Sequence, residues 1–326
     1  MHFTAQDIIP PLSMRILLIK TSSLGDVVHN LPVVTDLRAH FPGVVIDWVV
    51  EEAYADVVRL HPGVNRAVPV ALRRWRRSLL DKGTWREIHA FRTSLQRVSY
   101  EHVIDTQGLL KSALLTRMAH GLRCGYAWAS ARESVASYFY DACFEVSPDL
   151  HAVERNRRLA ALATGHATSS LPDYGIAVSP APTRAAPSAV LLTATSRDDK
   201  LWPDERWIAL GRDLQRQGLQ CALPAGAPTE RERAARIATQ IPHAVALPSM
   251  GLGELAKRLA AARLVVGVDT GLVHLAAALG RPTLALFSAS DPTRTGVLAA
   301  TPAINLGRRG QPPSVEDVLA AAAPLT

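Results

Sequence analysis

The sequence predicts an α/β protein made of two doubly wound, Rossmann-like halves that face a central cleft. Three observations carry that expectation. Short β-rich apolar runs alternate with helical patterns, the signature of parallel βαβ units. The alternation breaks once, at residues 165–188, in a stretch rich in Ala, Pro, Ser and Thr that includes SPAPTRAAPS, and then restarts. The chain has 326 residues, longer than the roughly 250–300 at which single cores stop growing.

In order, residues 15–20 (RILLIK) read as the first strand and 26–40 as a helix that opens on an aspartate. Residues 44–50 form a second apolar strand and 102–105 another, followed by a helix near 109–120. A helix of mixed charge over 151–164 closes this half. After the break, 189–193 is a strand, 204–217 a helix behind Pro203, and 219–223 a strand. A helix over 229–239, a short strand over 244–247 and a helix over 252–262 follow. The apolar runs 264–268 and 283–287 are strands around a small-residue helix over 271–279, and 314–322 is the last helix. The expected domains are therefore 14–164 and 189–326, joined by a linker over 165–188. The final helix is free to pack back on the first domain. Residues 1–13 read as an extension before a more natural start at Met14-Arg15-Ile16.

Composition narrows the class. Hydrophobic residues make up 48% of the chain, too many and too evenly spread for disorder. The three cysteines (Cys124, Cys143, Cys221) are scattered, which excludes a disulfide framework and a zinc module. No apolar run approaches the roughly 18–20 residues of a membrane span, and residues 1–13 lack the pattern of a secretory signal. A cytosolic protein is expected. The net charge is +7, and its position is informative. Nine basic residues against Asp81 and Glu87 give residues 66–97 a net +7 of their own, so the rest of the chain is neutral. A concentrated patch points to an anionic partner.

Several loops follow predicted strands. KTSSLGDVVHNLP comes after the first, where a glycine turn and a helix N-terminus converge backbone N–H groups and the helix dipole. It is not a dinucleotide fingerprint or a P-loop. Asp26 there is either a cleft-facing carboxylate or an ordinary helix cap, and His29 one turn later reads first as a helix-face residue. TATSRDDKLWPDERW, residues 193–207, offers the hydroxyls of Thr195 and Ser196 and the cation of Lys200, a set that suits a diphosphate or an ordinary polar loop. In VVGVDTGLVHL, Asp269 ends a strand and Thr270-Gly271 open a helix, with His274 one turn inside. Glu230, after Ala225-Gly226-Ala227, is a carboxylate that could take ribose hydroxyls, and Met250 could line a base slot or fill core. RRWRR places Arg73, Arg74, Arg76 and Arg77 around Trp75, and guanidinium forks suit carboxylate and phosphate oxygens.

Taken together, TSSLGD, RRWRR, RDDK-x-WP and VDTG-x-x-H resemble the lipopolysaccharide heptosyltransferases of glycosyltransferase family 9, inverting enzymes of the two-Rossmann-domain GT-B architecture. The resemblance runs from Met14 to near the C-terminus. The first enzyme of that pathway fits better than the second, which usually carries a tryptophan before its Val-Gly-Asp turn and lacks RDDK. It implies transfer of L-glycero-D-manno-heptose from ADP-heptose, a co-substrate rather than a cofactor, to the first Kdo of Kdo2–lipid A. Asp26 is then the general base. Thr195, Ser196, Lys200, Glu230, Met250, Asp269, Thr270, Gly271 and His274 take the donor, and Arg73, Arg74, Arg76, Arg77 and Arg132 (in SARES) face the anionic acceptor. Thr195-Ser196 stands where the family often has Thr-Thr, which keeps the hydroxyl. With no D-x-D signature, Lys200 and the Thr270-Gly271 helix start are the expected stabilisers of departing ADP, without a metal. Such an enzyme works as a peripheral protein at the cytoplasmic face of the inner membrane and has no nucleic-acid partner. The rival readings are the second heptosyltransferase, another nucleotide-sugar enzyme such as an epimerase, and a non-enzymatic nucleic-acid binder.

Overall fold

A computed structural model describes residues 14–168, 171–179 and 187–326. The proposed extension over 1–13 and most of SPAPTRAAPS lie outside the described residues. Two six-stranded sheets, all parallel, form the two halves. The first holds β1 (Arg15–Ile19), β2 (Val45–Glu51), β3 (Val64–Val70), β4 (Ser99–Asp105), β5 (His120–Tyr126) and β6 (Ala142–Phe144) in the spatial order β3-β2-β1-β4-β5-β6. The second holds β7 (Ser188–Leu192), β8 (Gln220–Leu223), β9 (Val245–Ala246), β10 (Leu264–Val268), β11 (Thr283–Phe287) and β12 (Ala303–Gly307) in the order β12-β11-β10-β7-β8-β9. Counted within each half, both sheets have the order 3-2-1-4-5-6, so the two halves share one topology.

Helices cover both faces of each sheet. The first half has α1 (Leu24–Val28), α2 (Leu31–His40), α3 (Ala55–Arg59), α4 (Leu72–Trp75), α5 (Lys82–Gln96), α6 (Leu110–Thr116) and α7 (Ala152–Thr164). The second has α8 (Asp204–Arg216), α9 (Pro228–Ala238), α10 (Leu252–Ala260), α11 (Gly271–Ala278) and α12 (Val315–Ala322). No described helix is long and apolar enough to cross a membrane.

Four expectations need correction. The helix expected over 26–40 is two helices, broken at His29-Asn30. Pro32 occupies the second position of α2, where its missing N–H costs no intrahelical bond. The helix expected over 109–120 stops at Thr116, and His120 already begins β5. The basic stretch, left without elements in the sequence, contains β3, α4 and α5. The last helix does not return to the first domain. It packs on α8, β11 and β12 of its own half, with Val318 and Ala322 fully buried.

The halves meet through helices. α1 packs on α11 and α3 on α10, and one apolar cluster runs through the interface from Val27 and Val28 to Val273 and Ala276. The approach is close enough to require glycine at 271 and leaves little room at 25. A Cβ on Gly271 would lie 2.6 Å from Leu24 Cβ and 2.8 Å from Gly25 N, and one on Gly25 would lie 3.1 Å from His274 Cδ2. Behind this contact, α7 is fixed on α2 by a buried ion pair, Arg157 Nε to Asp36 Oδ2 at 2.7 Å. The connection between the halves is held too, since Tyr174 donates its hydroxyl to Leu298 O at 2.6 Å.

Candidate active site between the two sheets

In a sheet of order 3-2-1-4-5-6, adjacent strands 1 and 4 send their connections to opposite sides, which opens a crevice at their carboxyl ends. Here those strands are β1 and β4 in one half and β7 and β10 in the other. The loops after β1, β7 and β10 face one another across a cavity of about 960 Å³. It collects Asp26, Arg73 and Arg132 from the first half. From the second it collects every residue the sequence assigned to the donor: Thr195, Ser196, Lys200, Glu230, Met250, Asp269, Thr270, Gly271 and His274.

Asp26 is the third residue of α1 and not its cap. Ser23 is the cap, and it donates its N–H (3.0 Å) and its hydroxyl (3.3 Å) to Asp26 Oδ2. Oδ1 takes Arg132 Nη2 at 2.8 Å. The reading of Asp26 as the helix cap is therefore corrected: its side chain closes the capping box from the third position, and it also lines the cavity. Burial by itself pushes the Asp26 pKa up. The charges of Lys20 and Arg132, with the hydrogen bond from Arg132, outweigh it and hold the carboxyl well below the usual range. Lys20 ends the first strand motif and is buried, with Nζ donating to Thr106 O at 2.7 Å and Asn156 Oδ1 at 3.2 Å. Burial lowers its pKa to about 8.

Opposite, Lys200 Nζ donates to Asp269 Oδ2 at 2.6 Å, and Ser290 donates its hydroxyl to the same oxygen. Lys200 is thus held in an ion pair, yet an ammonium has three donors and keeps others for a ligand. Thr195 Oγ1 donates to Asp269 O at 3.2 Å, which ties the β7 and β10 loops together. Thr270 caps α11, an eight-residue helix whose N-terminus opens on the cavity. Glu230 also holds its own loop. Its Oε2 accepts from Gly226 N and Ala227 N, both at 3.0 Å, leaving the other oxygen for a hydroxyl.

His29 and His274 join the halves, with His29 Nε2 and His274 Nδ1 3.1 Å apart. His29 Nδ1 is buried without a partner. A buried lone pair left unmet costs less than a buried N–H left unmet, so the His29 proton belongs on Nε2 and is donated to His274. That leaves the His274 proton on Nε2, the nitrogen away from this bond. Both rings stay neutral, since burial lowers the His29 pKa well below 6.5 and that of His274 to about 4.

The arginines separate. Arg132 meets Asp26, and Arg73 lines the cavity with its guanidinium 5.8 Å from the centre of the Tyr54 ring. Arg74 is committed to the protein, paired with Glu52 at 3.1 Å and Glu87 at 2.8 Å, a departure from its expected outward role. Arg76 and Arg77 are exposed and lie outside the cavity. Sequence reasoning missed Lys20, which reaches the site only through the fold, and read His29 as a helix-face residue, whereas it lines the cavity. Among the described residues, no three His, Cys, Asp or Glu side chains are grouped to hold a metal.

Two doubly wound sheets of one topology around a shared cleft define the GT-B class. Within it, a family model described as glycosyltransferase family 9 (heptosyltransferase) matches residues 88–320. A "Lipopolysaccharide heptosyltransferase 1" from Escherichia coli (strain K12) is 46% identical over 288 residues, covering 87% of this chain and 90% of that relative. The solved structure titled "E. coli heptosyltransferase WaaC with ADP" aligns with a TM-score of 0.90 at 41% identity, over 96% of this chain and 100% of that one. A second structure of that enzyme, with ADP-2-deoxy-2-fluoro heptose, gives 0.86 at 43% identity, over 95% and 98% of the two chains. The chain belongs to glycosyltransferase family 9, the heptosyltransferases.

Proposed function

We propose that this heptosyltransferase transfers L-glycero-D-manno-heptose from ADP-heptose to the first Kdo of Kdo2–lipid A, with inversion and without a metal. The observation that carries the reading is the opposition, across one cleft, of Asp26 to the Lys200–Asp269 pair and the N-terminus of α11. The similar enzyme holding an ADP-heptose analogue supports the donor. The guanidiniums of Arg132, bonded to Asp26, and of Arg73 in the same cavity wall support an acceptor that carries carboxylates.

The acceptor hydroxyl oxygen attacks the anomeric carbon from the face opposite the diphosphate, and its proton passes to Asp26. The bond from that carbon to the diphosphate oxygen breaks, and ADP leaves with the electron pair. Lys200 and the α11 N–H groups meet the growing charge, a role typically worth ~10²–10³ in rate per donor. A carboxylate held as low as Asp26 is a weak base, however. An acceptor carboxylate that draws Arg132 onto itself removes one of the cations holding Asp26 down. The base then strengthens when the hydroxyl is docked, coupling acceptor binding to proton removal. The protein acts in this reading as a peripheral enzyme at the cytoplasmic membrane face.

The test is ADP release by purified enzyme with ADP-heptose and deacylated Kdo2–lipid A in the presence of EDTA. Sustained turnover is expected. Dependence on added magnesium, or turnover only with an acceptor that already carries heptose, overturns the reading.

A further inference from the structure

The α4–α5 segment, the loop after α4 together with the opening turn of α5, carries three exposed apolar side chains: Leu79 (50% exposed), Leu80 (fully exposed) and Trp85 (58%). They are held outward. Trp85 Nε1 donates to Leu79 O at 2.8 Å, Asp81 Oδ1 accepts from Gly83 N at 3.0 Å, and Asp81 N bonds Ser78 O at 3.0 Å. The loop is anchored from beneath by Trp75, which is buried, stacks edge-on against Phe91 and donates to Glu87 Oε2 at 2.7 Å. Around the apolar tip stand Arg76, Arg77, Lys82 and Arg86, all exposed. None of these four cationic side chains has an ion pair or hydrogen bond within the described residues, in contrast to Arg74 next to them.

We infer that this loop is a membrane-docking wedge, with Leu79, Leu80 and Trp85 entering the interfacial region of a bilayer and the four cations resting on anionic headgroups. The inference deepens the lipid-linked acceptor reading above by naming the surface through which that acceptor is reached. A bilayer uses both parts of the patch: aliphatic side chains gain by leaving water, and each nearby cation gains from the negative surface potential. A nucleic acid uses the cations but gives protruding leucines nothing to enter. Trp85 is suited to the headgroup level because its N–H is already bonded within the loop and enters without a lost partner. Arg73, three residues before Arg76 at the start of the wedge, lines the cavity, so docking brings the cleft to the headgroup plane.

The test is flotation with vesicles of phosphatidylethanolamine and phosphatidylglycerol that contain no Kdo lipid, comparing the wild type with Leu79→Ser/Leu80→Ser. The double variant should partition at least tenfold more weakly. Leu80→Trp should partition more strongly, and neutral phosphatidylcholine vesicles should bind the wild type poorly. Both variants should keep wild-type kcat and KM with ADP-heptose and the water-soluble deacylated acceptor, because the wedge lies outside the cleft. Equal partitioning of wild type and double variant overturns the wedge, as does duplex DNA displacing the wild type from vesicles at equimolar charge. Failure of the wild type on the soluble acceptor contradicts the acceptor reading instead, while the vesicle comparison still decides the wedge.

Discussion

The two halves have the same strand order and put opposite charges at the same place. After its first strand the N-terminal half presents a carboxylate, Asp26, whereas the C-terminal half presents a cation, Lys200, after its own. Each is held by a partner of the other sign: Arg132 on Asp26 at 2.8 Å and Asp269 on Lys200 at 2.6 Å. The pairs differ in what a ligand can take from them. The Arg132 side chain is 39% exposed and can be captured by an incoming anion, whereas Lys200 and Asp269 are 18% and 12% exposed and form a stiffer unit. In the proposed mechanism one topology serves two roles, proton removal in the first half and charge neutralisation in the second, and that division rests on single residues at equivalent strand ends.

Substitutions can break or sharpen that division. Removing the Asp26 carboxylate should have the largest effect, ~10²–10⁴ in kcat. Lys200→Ala follows, at ~10²–10³ in kcat with a raised donor KM and an unchanged acceptor KM. Were the acceptor constant to move instead, the roles of the halves would be exchanged. Arg132→Ala should raise the acceptor KM by about 10–100-fold, as expected for losing a charge-assisted bond. It should also shift the acid limb of the pH–rate profile. With Arg132 gone, less opposes the effect of burial on Asp26, its pKa rises, and activity is lost at a higher pH than in the wild type. An unmoved acid limb would separate Arg132 from the base.

The smallest effect at neutral pH concerns the histidines that bridge the halves. His274 titrates near 4 in the fold and near 6.5 unfolded, so between those values the unfolded chain binds more protons. Stability should therefore fall as pH drops from about 6.5 to 4, by up to ~3 kcal/mol from this residue. Burial lowers the His29 pKa as well, so that ring adds its own share to the decline. His29→Gln, which keeps a donor toward His274 Nδ1, should leave stability at pH 7 nearly unchanged and flatten the decline by that share. Denaturant titrations at pH 7 and pH 5 measure both, and an equally steep decline in the variant would remove His29 from the bridge.

What the sequence disclosed follows burial. β1, β7, β10 and β11 are covered on both faces and read as continuous apolar runs. The strands it did not disclose, β3, β5, β6 and β12, lie at or next to a sheet edge; polar residues interrupt β3, β5 and β12, and β6 is only three residues long. Pro69 in β3 is tolerated because that strand has one neighbour. The same logic applies to the cleft. Asp26, Lys200 and Asp269 were legible because each follows or closes a strand beside a helix start. Lys20 was not, because a lysine at the end of RILLIK looks like a strand terminus until Asn156 and Thr106 close over it. Gly271 was expected to admit a ligand, and its lack of a side chain also admits Leu24 of the other half. RRWRR reads as four equivalent arginines, and only tertiary placement commits Arg74 to Glu52 and Glu87.

The most direct measurement of the division of labour is Asp26→Asn assayed beside the wild type, with ADP release followed on ADP-heptose and deacylated Kdo2–lipid A and ADP affinity measured by calorimetry. A folded variant that binds ADP as the wild type does, yet turns over ~10²–10⁴-fold more slowly, is the predicted result. Turnover at the wild-type rate would reduce Asp26 to the residue that closes the first turn of α1, and the proton acceptor would have to be found elsewhere in the cleft.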